Sequence, residues 1–427
     1  MPLPFSLNKM PNRILIIILL TAIFIIVDFY VFQAIKVAFQ HTSETTKKIA
    51  TTLYWTITFL SVVAVVLFLF VNPEKMGSIT RNLLITALFA NIITKLLLVI
   101  FLVIDDIGRL VRWMVSRFAK TNEGSQLTTD GVSRSEFLMK SALIVSTIPA
   151  VSMAYGVISG AHDYTIRKQK LVLKNLPQSF DGLHIAQISD IHSGSFFNRK
   201  AVMGGVQMIL DQKPDVIFFT GDLVNNVASE MNDYVNVFNK LKAPLGVYST
   251  LGNHDYGDYY SWPSVDAKRK NLLDLIRIHK QMGWDILLNE NRLLKVGGDS
   301  IAVLGVENWG LGKRWPKYGK LTPAYKGIED QPVKILLSHD PSHWDGQVKG
   351  QYSDIDLMLS GHTHGFQFGI EAGPIKWSPV QYVYKQWAGL YQENNQYLYV
   401  NRGFGYIGFP GRVGMPPEIT IIELNRA

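Results

Sequence analysis

The chain of 427 residues contains no cysteine. That absence excludes disulfide bonds and any metal site built from thiolates, but it does not identify a compartment, because disulfide-free proteins occur in reducing and oxidising surroundings alike. Charged residues are also scarce, since they make up 18% of the chain against 48% for apolar residues. So low a charge content is unusual for a soluble enzyme.

The sequence also lacks internal repeats, low-complexity tracts and basic stripes with interleaved aromatic residues. Nucleic acid is therefore not indicated as a partner. The formal net charge of +8 suits a protein that faces a membrane or binds an anionic substrate. The oligomeric state cannot be read from the sequence.

Charged residues are scarce mainly because the first 160 residues hold four long apolar runs. The first run is too long for a cleaved secretion signal, and further runs follow it. We therefore predict a transmembrane domain of four helices over residues 1–165 and a second domain over residues 166–427. The runs have about 19 to 22 residues each, enough to cross a bilayer, and cover residues 14–35, 53–71, 83–104 and 141–160.

Two charged residues, Asp28 and Lys95, lie inside the first and third apolar runs. Charges are costly in lipid and usually face the interior of a helix bundle. One interpretation is a buried pair that holds the helices together. The other is a polar path or a site for a lipid headgroup.

The lysines and arginines of the short loops predict how the transmembrane domain is oriented. The loops after the first and third runs carry more of them than the other side does, and such loops face the cytoplasm. The second domain is then expected on the extracytoplasmic face. The first group is Lys36, Lys47, Lys48, Arg109, Arg112, Arg117, Lys120, Arg134 and Lys140, and the second is Lys9, Arg13, Lys75 and Arg81.

Residues 133–140, just before the fourth run, offer a second indication of orientation. They resemble a twin-arginine export signal, except that Ser135 stands in place of the second arginine. Export by that signal would agree with an extracytoplasmic second domain. An ordinary basic flank of a membrane span explains the same residues equally well.

Five apolar segments of the second domain each end in carboxylate, imidazole or carboxamide side chains. The segments read as buried strands at 184–189, 216–220, 247–251, 334–337 and 355–359. Ligand sites in open α/β sheets form beyond the carboxyl ends of the strands, so we expect these groups to meet. They are Asp190, His192, Asp222, Asn253, His254, Asp255, His339, His362 and His364.

His362 and His364 follow the last of these segments and have glycine on both sides. In an extended segment, residues two positions apart point the same way, so both rings are predicted to face one point. Histidine is the commonest transition-metal ligand. Two histidines that bind no metal and serve only as polar residues of a loop would give the same local pattern.

The spacing of helix and strand candidates indicates the fold class. Helix candidates at 199–212, 231–241 and 267–282 separate the early strands, whereas loops connect the later strand candidates, which include 301–306, 397–400 and 419–424. This mixture predicts an α/β fold in which a sandwich of sheets is covered by helices. Residues 308–327 are rich in Trp, Lys, Gly and Pro, and predict a long surface loop that shapes substrate entry.

Seven of the strand-end side chains are candidate metal ligands. All of them offer oxygen or nitrogen donors, and none offers sulfur. A mixed set of carboxylates and imidazoles suits Mn, Fe or Zn. Seven donors are too many for one ion that keeps an open position, whereas they suit two ions that share a carboxylate and together clamp a phosphate. The seven are Asp190, His192, Asp222, Asn253, His339, His362 and His364.

His254 remains as an imidazole beside the predicted ligands. It suits a proton donor to the leaving oxygen or a clamp on the phosphate. Asp255 either orients that ring or caps a turn. His343 is predicted to be a loop histidine near the site, and Arg402 is either a binding group for phosphate or a partner in an ion pair.

In residue type and order, these motifs resemble the calcineurin-like metallophosphoesterase superfamily, and residues 176–183 and 416–420 are similar to its membrane-associated YkuE-like branch. The resemblance covers about residues 171–427. It implies a four-layer sandwich of two mixed β-sheets flanked by helices, with His254 as the general acid. It also implies two divalent ions, one held by Asp190, His192, Asp222 and His364, the other by Asp222, Asn253, His339 and His362.

Two functions from different classes follow. The first is a membrane-anchored, two-metal phosphohydrolase that cleaves a phosphoester or pyrophosphate bond, with a lipid or envelope precursor as one candidate substrate. The alternative is a membrane transporter or receptor whose metal-binding domain is sensory or regulatory. The complete set of donors favours the first, whereas Asp28 and Lys95 favour the second.

Overall fold

The computed structural model describes residues 10–71, 76, 78–118, 134–312, 316–373 and 375–427. Contacts divide the chain into two compact units, Met1–Ala154 and Tyr155–Ala427. The predicted domain boundary after residue 165 stays a prediction. Some residues that the predictions used lie outside the described ranges, namely Lys9, Lys75, Lys120, Ser133 and residues 313–315.

Four long helices make up the described part of the first unit, as the apolar runs predict. Large apolar side chains such as Ile26, Phe59 and Leu83 point outwards from them, an arrangement that is stable in lipid rather than in water. Each helix holds a stretch long and apolar enough to cross a membrane. The helices are α1 (Met10–Ala38), α2 (Glu44–Phe70), α3 (Ser78–Phe118) and α4 (Arg134–Ile158), whose last turn belongs to the second unit.

The two charges inside the spans form a buried ion pair between α1 and α3. Lys95 Nζ contacts Asp28 Oδ1, and both side chains are almost fully buried. From α2, Tyr54 Oη and Thr58 Oγ1 donate hydrogen bonds to the same carboxylate oxygen at 2.9 and 3.0 Å. The structure therefore favours the interpretation in which this pair joins three helices.

The second unit holds fourteen strands and five short or medium helices within the described residues. Eight of the strands overlap segments that the sequence predicts and six do not, and most strands have four to nine residues. The strands are β1 (Thr165–Leu173), β2 (Leu183–Ile188), β3 (Val216–Phe219), β4 (Val247–Ser249), β5 (Asp285–Ile286), β6 (Glu290–Val296), β7 (Asp299–Gly305), β8 (Lys334–Leu337), β9 (Leu357–Ser360), β10 (Ile370–Ala372), β11 (Ile375–Trp377), β12 (Gly389–Glu393), β13 (Gln396–Val400) and β14 (Glu418–Arg426). The helices are α5 (Arg199–Asp211), α6 (Val235–Phe238), α7 (Val265–Met282), α8 (Leu321–Tyr325) and α9 (Lys349–Gln351).

Twelve of the strands form two mixed sheets of six. The first sheet has the order β1-β14-β2-β3-β4-β5, with β14 and β2 antiparallel and the other neighbours parallel. The second has the order β12-β13-β9-β8-β7-β6, with antiparallel pairs at its two edges. In the first sheet β2, β3, β4 and β5 run parallel, and in the second β13, β9, β8 and β7 do. Within each sheet, the carboxyl ends of these parallel strands therefore lie along one edge.

The two sheets pack face to face, and helices cover their outer faces. Ile185, Phe218, Val303 and Ile335 belong to the buried cluster that joins the sheets. A second cluster contains α5 and α7 residues against the first sheet, and a third contains α8 residues against the second. The predicted sandwich of two mixed sheets flanked by helices is therefore confirmed.

The helix predicted over residues 231–241 is wrong. Within it the structure has α6, of four residues, preceded by a 3₁₀ turn at Ala228–Met231. The segment contains Asn, Asp and β-branched Val, which are poor helix formers. Val237 and Phe238 are buried, so packing explains the apolar spacing without a long helix.

Candidate metal centre

The nine side chains singled out at strand ends come together at one edge of the sandwich. They lie in the loops after β2, β3 and β4 in the first sheet and after β8 and β9 in the second. Backbone hydrogen bonds tie neighbouring loops together, since Asp190 N donates to Gly221 O and Gly361 N donates to His339 O, both at 2.9 Å. Parallel pairing of the strands places the loops side by side.

Five of the seven predicted ligands adopt a left-handed backbone conformation. This conformation is uncommon for residues other than glycine and concentrates at functional sites. It turns each side chain sharply away from the line of the preceding strand. The residues are Asp190 (φ 52°), His192 (48°), Asp222 (61°), His362 (72°) and His364 (54°).

The prediction that the rings of His362 and His364 face one point is wrong. It assumed extended backbone, whereas both residues are left-handed, and each ring joins a different group of donors. Gly361 is needed for a close approach, because a Cβ there would lie 2.2 Å from Asp190 Oδ2.

The first group of donors consists of Asp190, His192 and His364. His364 Nε2 lies 3.1 Å from both Asp190 Oδ1 and His192 Nε2. All three side chains are buried. Burial lowers the pKa of His192 well below its usual value, so its ring is neutral, which is the form that binds a metal.

The second group consists of Asp222, His339 and His362, with Asn253 beside them. His339 Nε2 lies 3.1 Å from Asp222 Oδ2 and 3.2 Å from His362 Nδ1. His362 Nδ1 is also 2.8 Å from Asn253 Oδ1. His339 Nδ1 is 2.8 Å from the carbonyl oxygen of Thr220, which leaves Nε2 facing the group.

One carboxylate oxygen lies between the two groups. Asp222 Oδ2 is 3.5 Å from His192 Nε2 in the first group and 3.1 Å from His339 Nε2 in the second. The other oxygen, Asp222 Oδ1, accepts the backbone N–H of His254 at 2.8 Å. Asp222 is therefore placed to contribute to both groups.

The electrostatics of the centre favour a cation. Burial alone would lower the pKa of His339, but the carboxylates of Asp222 and Asp190 raise it to about 10. Burial opposes ionisation of Asp222 too, yet the neighbouring imidazoles hold its pKa well below the usual range. Carboxylates, imidazoles and a carboxamide that converge in this way form a donor set that fits divalent metals.

His254 lies at the edge of the centre and is partly exposed. Its Nδ1 is 2.8 Å from the carbonyl oxygen of Asn225, and because a carbonyl only accepts, Nδ1 carries the hydrogen. Its ring centroid is 5.0 Å from that of His192. The ring is thus fixed with Nε2 available to a bound molecule.

Asp255 does not orient the His254 ring, so that interpretation is wrong. Its carboxylate accepts backbone N–H groups of Asp222, Leu223 and Gly252 at 2.8–2.9 Å. Burial raises the pKa of Asp255 to about 7, and the Asp222 charge adds to the rise. The residue therefore braces the β3 and β4 loops against each other.

Among the side chains that contact the predicted ligands, Tyr259, Tyr384 and Arg412 were not identified from the sequence. Asn253 Nδ2 donates to Tyr259 Oη at 2.9 Å. Tyr384 Oη lies 2.7 Å from His362 Nε2, and no local pattern marks this tyrosine. Arg412 is buried and donates to the carbonyl oxygen of His364, while its Nη2 lies 3.4 Å from His364 Nδ1. Its place in a glycine-rich segment is the one sequence signal that could have been noted.

The remaining predicted residues have structural partners. His343 is buried, with Nδ1 at 2.8 Å from Ser338 Oγ and Nε2 at 3.0 Å from Gln347 Oε1. It lies in neither group of donors, as predicted, but in a helical segment rather than in a loop. Arg402 is buried in ion pairs with Glu418 and Glu371, which favours its structural interpretation.

We expect Arg412→Met to destabilise the second unit by about 3 kcal/mol or more, since each buried carbonyl left without a donor costs about 1–3 kcal/mol. In the unsubstituted protein, the Arg412 guanidinium donates to the carbonyl oxygens of Arg402, Gly405 and Met415, at 2.6–3.1 Å. Loss of support behind His364 should also weaken metal binding by about 10–100-fold.

Chemical denaturation and metal titration of the full-length protein measure the two effects of Arg412→Met. Arg269→Met, at an exposed position of α7, is the matched control and should change neither. Arg412→Lys should recover only part of the stability, because an ammonium has fewer donors than the guanidinium. Wild-type stability and metal affinity in Arg412→Met would contradict the positioning role.

Comparison with known proteins agrees with the resemblance noted in the motifs. A model described as "Probable Calcineurin-like phosphoesterase, transmembrane domain" matches residues 12–161, and one described as "Calcineurin-like phosphoesterase" matches residues 183–366. A solved structure with some likeness is the sulfate thiohydrolase SoxB of Thermus thermophilus, with a TM-score of 0.34 and 13% identity, covering 58% of this chain and 57% of that one.

Two relatives are similar over most of their own length. The chain is 31% identical over 306 residues to the metallophosphoesterase YkuE of Bacillus subtilis, covering 69% of this chain and 98% of that protein. It is 28% identical over 327 residues to a transmembrane protein with metallophosphoesterase domain from Danio rerio, covering 73% of this chain and 69% of that protein. The chain therefore belongs to the calcineurin-like metallophosphoesterases, and it is a membrane protein that carries the four-helix transmembrane domain found with them.

Proposed function

We propose that this chain is a membrane-anchored hydrolase that uses two divalent metal ions to cleave a phosphoester or pyrophosphate bond. The observation that carries the proposal is the place of Asp222 Oδ2, within 3.5 Å of an imidazole nitrogen in each group of donors. A carboxylate shared in this way is what a two-ion centre requires.

Each ion has its own set of protein ligands in this proposal. Two bound ions lower the pKa of a bound water and offset the negative charge on the attacking and leaving oxygens. Oxygen and nitrogen donors without sulfur suit Mn, Fe or Zn. The first set is Asp190, His192, Asp222 and His364, and the second is Asp222, Asn253, His339 and His362.

His254 is the proposed proton donor to the leaving oxygen. The Asn225 carbonyl holds its Nδ1–H, so Nε2 is the atom that meets the substrate. Glu230 supports this arrangement, because its carboxylate accepts the N–H groups of Asn225, Asn226 and Val227 at 2.6–3.1 Å. The loop that orients the imidazole is thereby fixed before substrate binds, as efficient acid catalysis requires.

The substrate proposed here is a phosphate ester or pyrophosphate of a lipid or envelope precursor, on the extracytoplasmic face. Anchoring by four spans holds the domain close to such molecules, since α4 ends at Ile158 and β1 begins at Thr165. Asp28 and Lys95 favoured the transporter or receptor alternative, and their ion pair gives them a structural role that supports the hydrolase instead.

Removal and return of metal test the proposal on the full-length protein in detergent. Dialysis against a chelator should abolish hydrolysis of p-nitrophenyl phosphate or bis-p-nitrophenyl phosphate, and added Mn²⁺ should restore it. Elemental analysis should find two ions per chain in the restored protein, as a shared carboxylate implies. Two bound ions without turnover of either compound would support a sensory domain instead.

A further inference from the structure

The hairpin formed by β10 and β11 has its polar side chains turned inwards and its apolar side chains turned outwards. Ile370 pairs with Trp377 and Ala372 with Ile375, whereas Glu371 pairs with Lys376 between them. Because side chains alternate along a strand, the first two pairs share one face and the third occupies the other. Hairpins on soluble domains normally show the opposite arrangement.

Contacts with the rest of the second unit hold the polar face. Glu371 accepts hydrogen bonds from Arg167 and Arg402. Lys376 Nζ donates to the carbonyl oxygen of Ala388 and lies 4.6 Å from the ring centroid of Trp387. The orientation of the hairpin is therefore fixed by at least four partners, and its apolar face is directed away from them.

The apolar face continues into a larger exposed surface, here called the apolar rim. Trp377 Nε1 donates to Tyr382 Oη at 3.4 Å, and the rings of Phe368 and Trp377 are 6.5 Å apart. Ile375 is 60% exposed and Val383 78%. Exposed apolar surfaces of this kind mark interaction sites. The rim consists of Phe368, Ile370, Ile375, Trp377, Tyr382 and Val383.

The apolar rim borders the metal centre. Val383 is followed directly by Tyr384, whose hydroxyl lies 2.7 Å from His362 Nε2. Phe368 follows His364 by four positions. A molecule held against the rim would therefore sit next to the donors.

The rim is also linked by backbone contacts to the last turn of α4, within the second unit. Arg412 N donates to Gly156 O at 3.1 Å, and Gly369 N donates to Val413 O at 3.0 Å. Phe368 forms a parallel bridge with Val413. Gly156 lies within the candidate span Glu136–Ile158, so these backbone contacts connect the rim to the end of that span.

We propose that the apolar rim rests in the interface of the lipid bilayer that α4 crosses. Trp and Tyr favour this zone because their rings are apolar and their N–H and O–H groups are polar. An exposed lysine, Lys385, lies two positions after Val383, where its charge can meet anionic headgroups. In this position the metal centre opens at the depth of the headgroups, where lipid phosphates lie.

The absence of cysteine allows a direct test by single labelling sites. Ile375→Cys in the full-length protein is labelled with a nitrobenzoxadiazole fluorophore and reconstituted in nanodiscs of phosphatidylglycerol and phosphatidylcholine. Nanodiscs that contain a lipid with a nitroxide near the headgroup should reduce its emission at least about twofold, because interfacial side chains enter the headgroup boundary. Aqueous iodide should quench it only weakly.

Leu293→Cys is the matched control, since it is exposed on β6, at the opposite edge of the second sheet from β12. Iodide should quench this label strongly and the nitroxide lipid weakly. Ile370→Cys gives a second site on the rim, so that one perturbed variant does not decide the result.

Two outcomes would overturn the proposal. Iodide quenching at both rim sites equal to that at Leu293→Cys would show that the rim faces water. Shielding from iodide and from the nitroxide lipid together would show that a protein partner or a second copy covers it. Neither measurement uses hydrolysis, so the result is independent of the proposed enzymatic function.

Discussion

Asp222→Asn is expected to lower kcat/KM for p-nitrophenyl phosphate by roughly 10³-fold, the upper end of what losing one contact to a transition state costs. Asp222 Oδ2 is the oxygen that approaches both groups of donors. The amide carries no negative charge, and when its oxygen accepts the His254 N–H, its nitrogen, which cannot ligate, faces the two groups of donors. Elemental analysis should therefore show fewer than two ions per chain.

The fold itself should survive Asp222→Asn. The substituted side chain keeps an oxygen that can accept the His254 N–H, which Asp222 Oδ1 accepts at 2.8 Å. Asp330→Asn, on the exposed surface, is the control and should retain activity and metal content. If Asp222→Asn bound two ions with unchanged turnover, the shared-carboxylate centre would be wrong.

His254→Ala is expected to reduce kcat by about 10²–10⁴-fold, the usual contribution of a general acid, while the metal content stays at two ions. The reduction should be largest for alkyl phosphates, whose leaving oxygens need a proton. It should be small for p-nitrophenyl phosphate, because p-nitrophenolate leaves readily without one. This difference between substrates separates a proton donor from a clamp on the phosphate.

A clamp predicts another pattern for the same variant. Loss of binding to the phosphate would raise KM or lower kcat equally for both substrates, whatever the leaving group. His184→Ala, at an exposed position of β2, should leave both substrates unaffected. Equal losses with alkyl and p-nitrophenyl phosphate would therefore assign His254 to binding rather than to proton transfer.

The sequence by itself determined the outline of this protein. Runs of about 19 to 22 apolar residues can fold stably only in a bilayer or a large core, so α1 to α4 could be predicted from composition. Buried strands such as β3 and β8 are short apolar runs, and their ends carry the donors. The order and chemistry of the seven donors also indicated the family.

Tertiary structure decided how those donors are arranged. His362 and His364 join different groups because their backbone is left-handed, and that conformation depends on packing of the loop against Asp190 rather than on local preference. Tyr384 and Arg412 contact ligands from segments that are distant in the sequence. Sequence patterns report periodicity within one element, whereas such contacts arise only when separate loops meet.

The β10–β11 hairpin shows the same limit most clearly. Alternation of apolar and polar residues is typical of a half-buried strand with the apolar face inside, and neither β10 nor β11 was predicted from the sequence. In this hairpin the polar face is inside instead. Glu371 forms ion pairs with Arg167 of β1 and with Arg402 of the loop after β13, so the apolar face is left outside. Local alternation determined that the hairpin has two different faces, and long-range charge pairing decided which face is exposed.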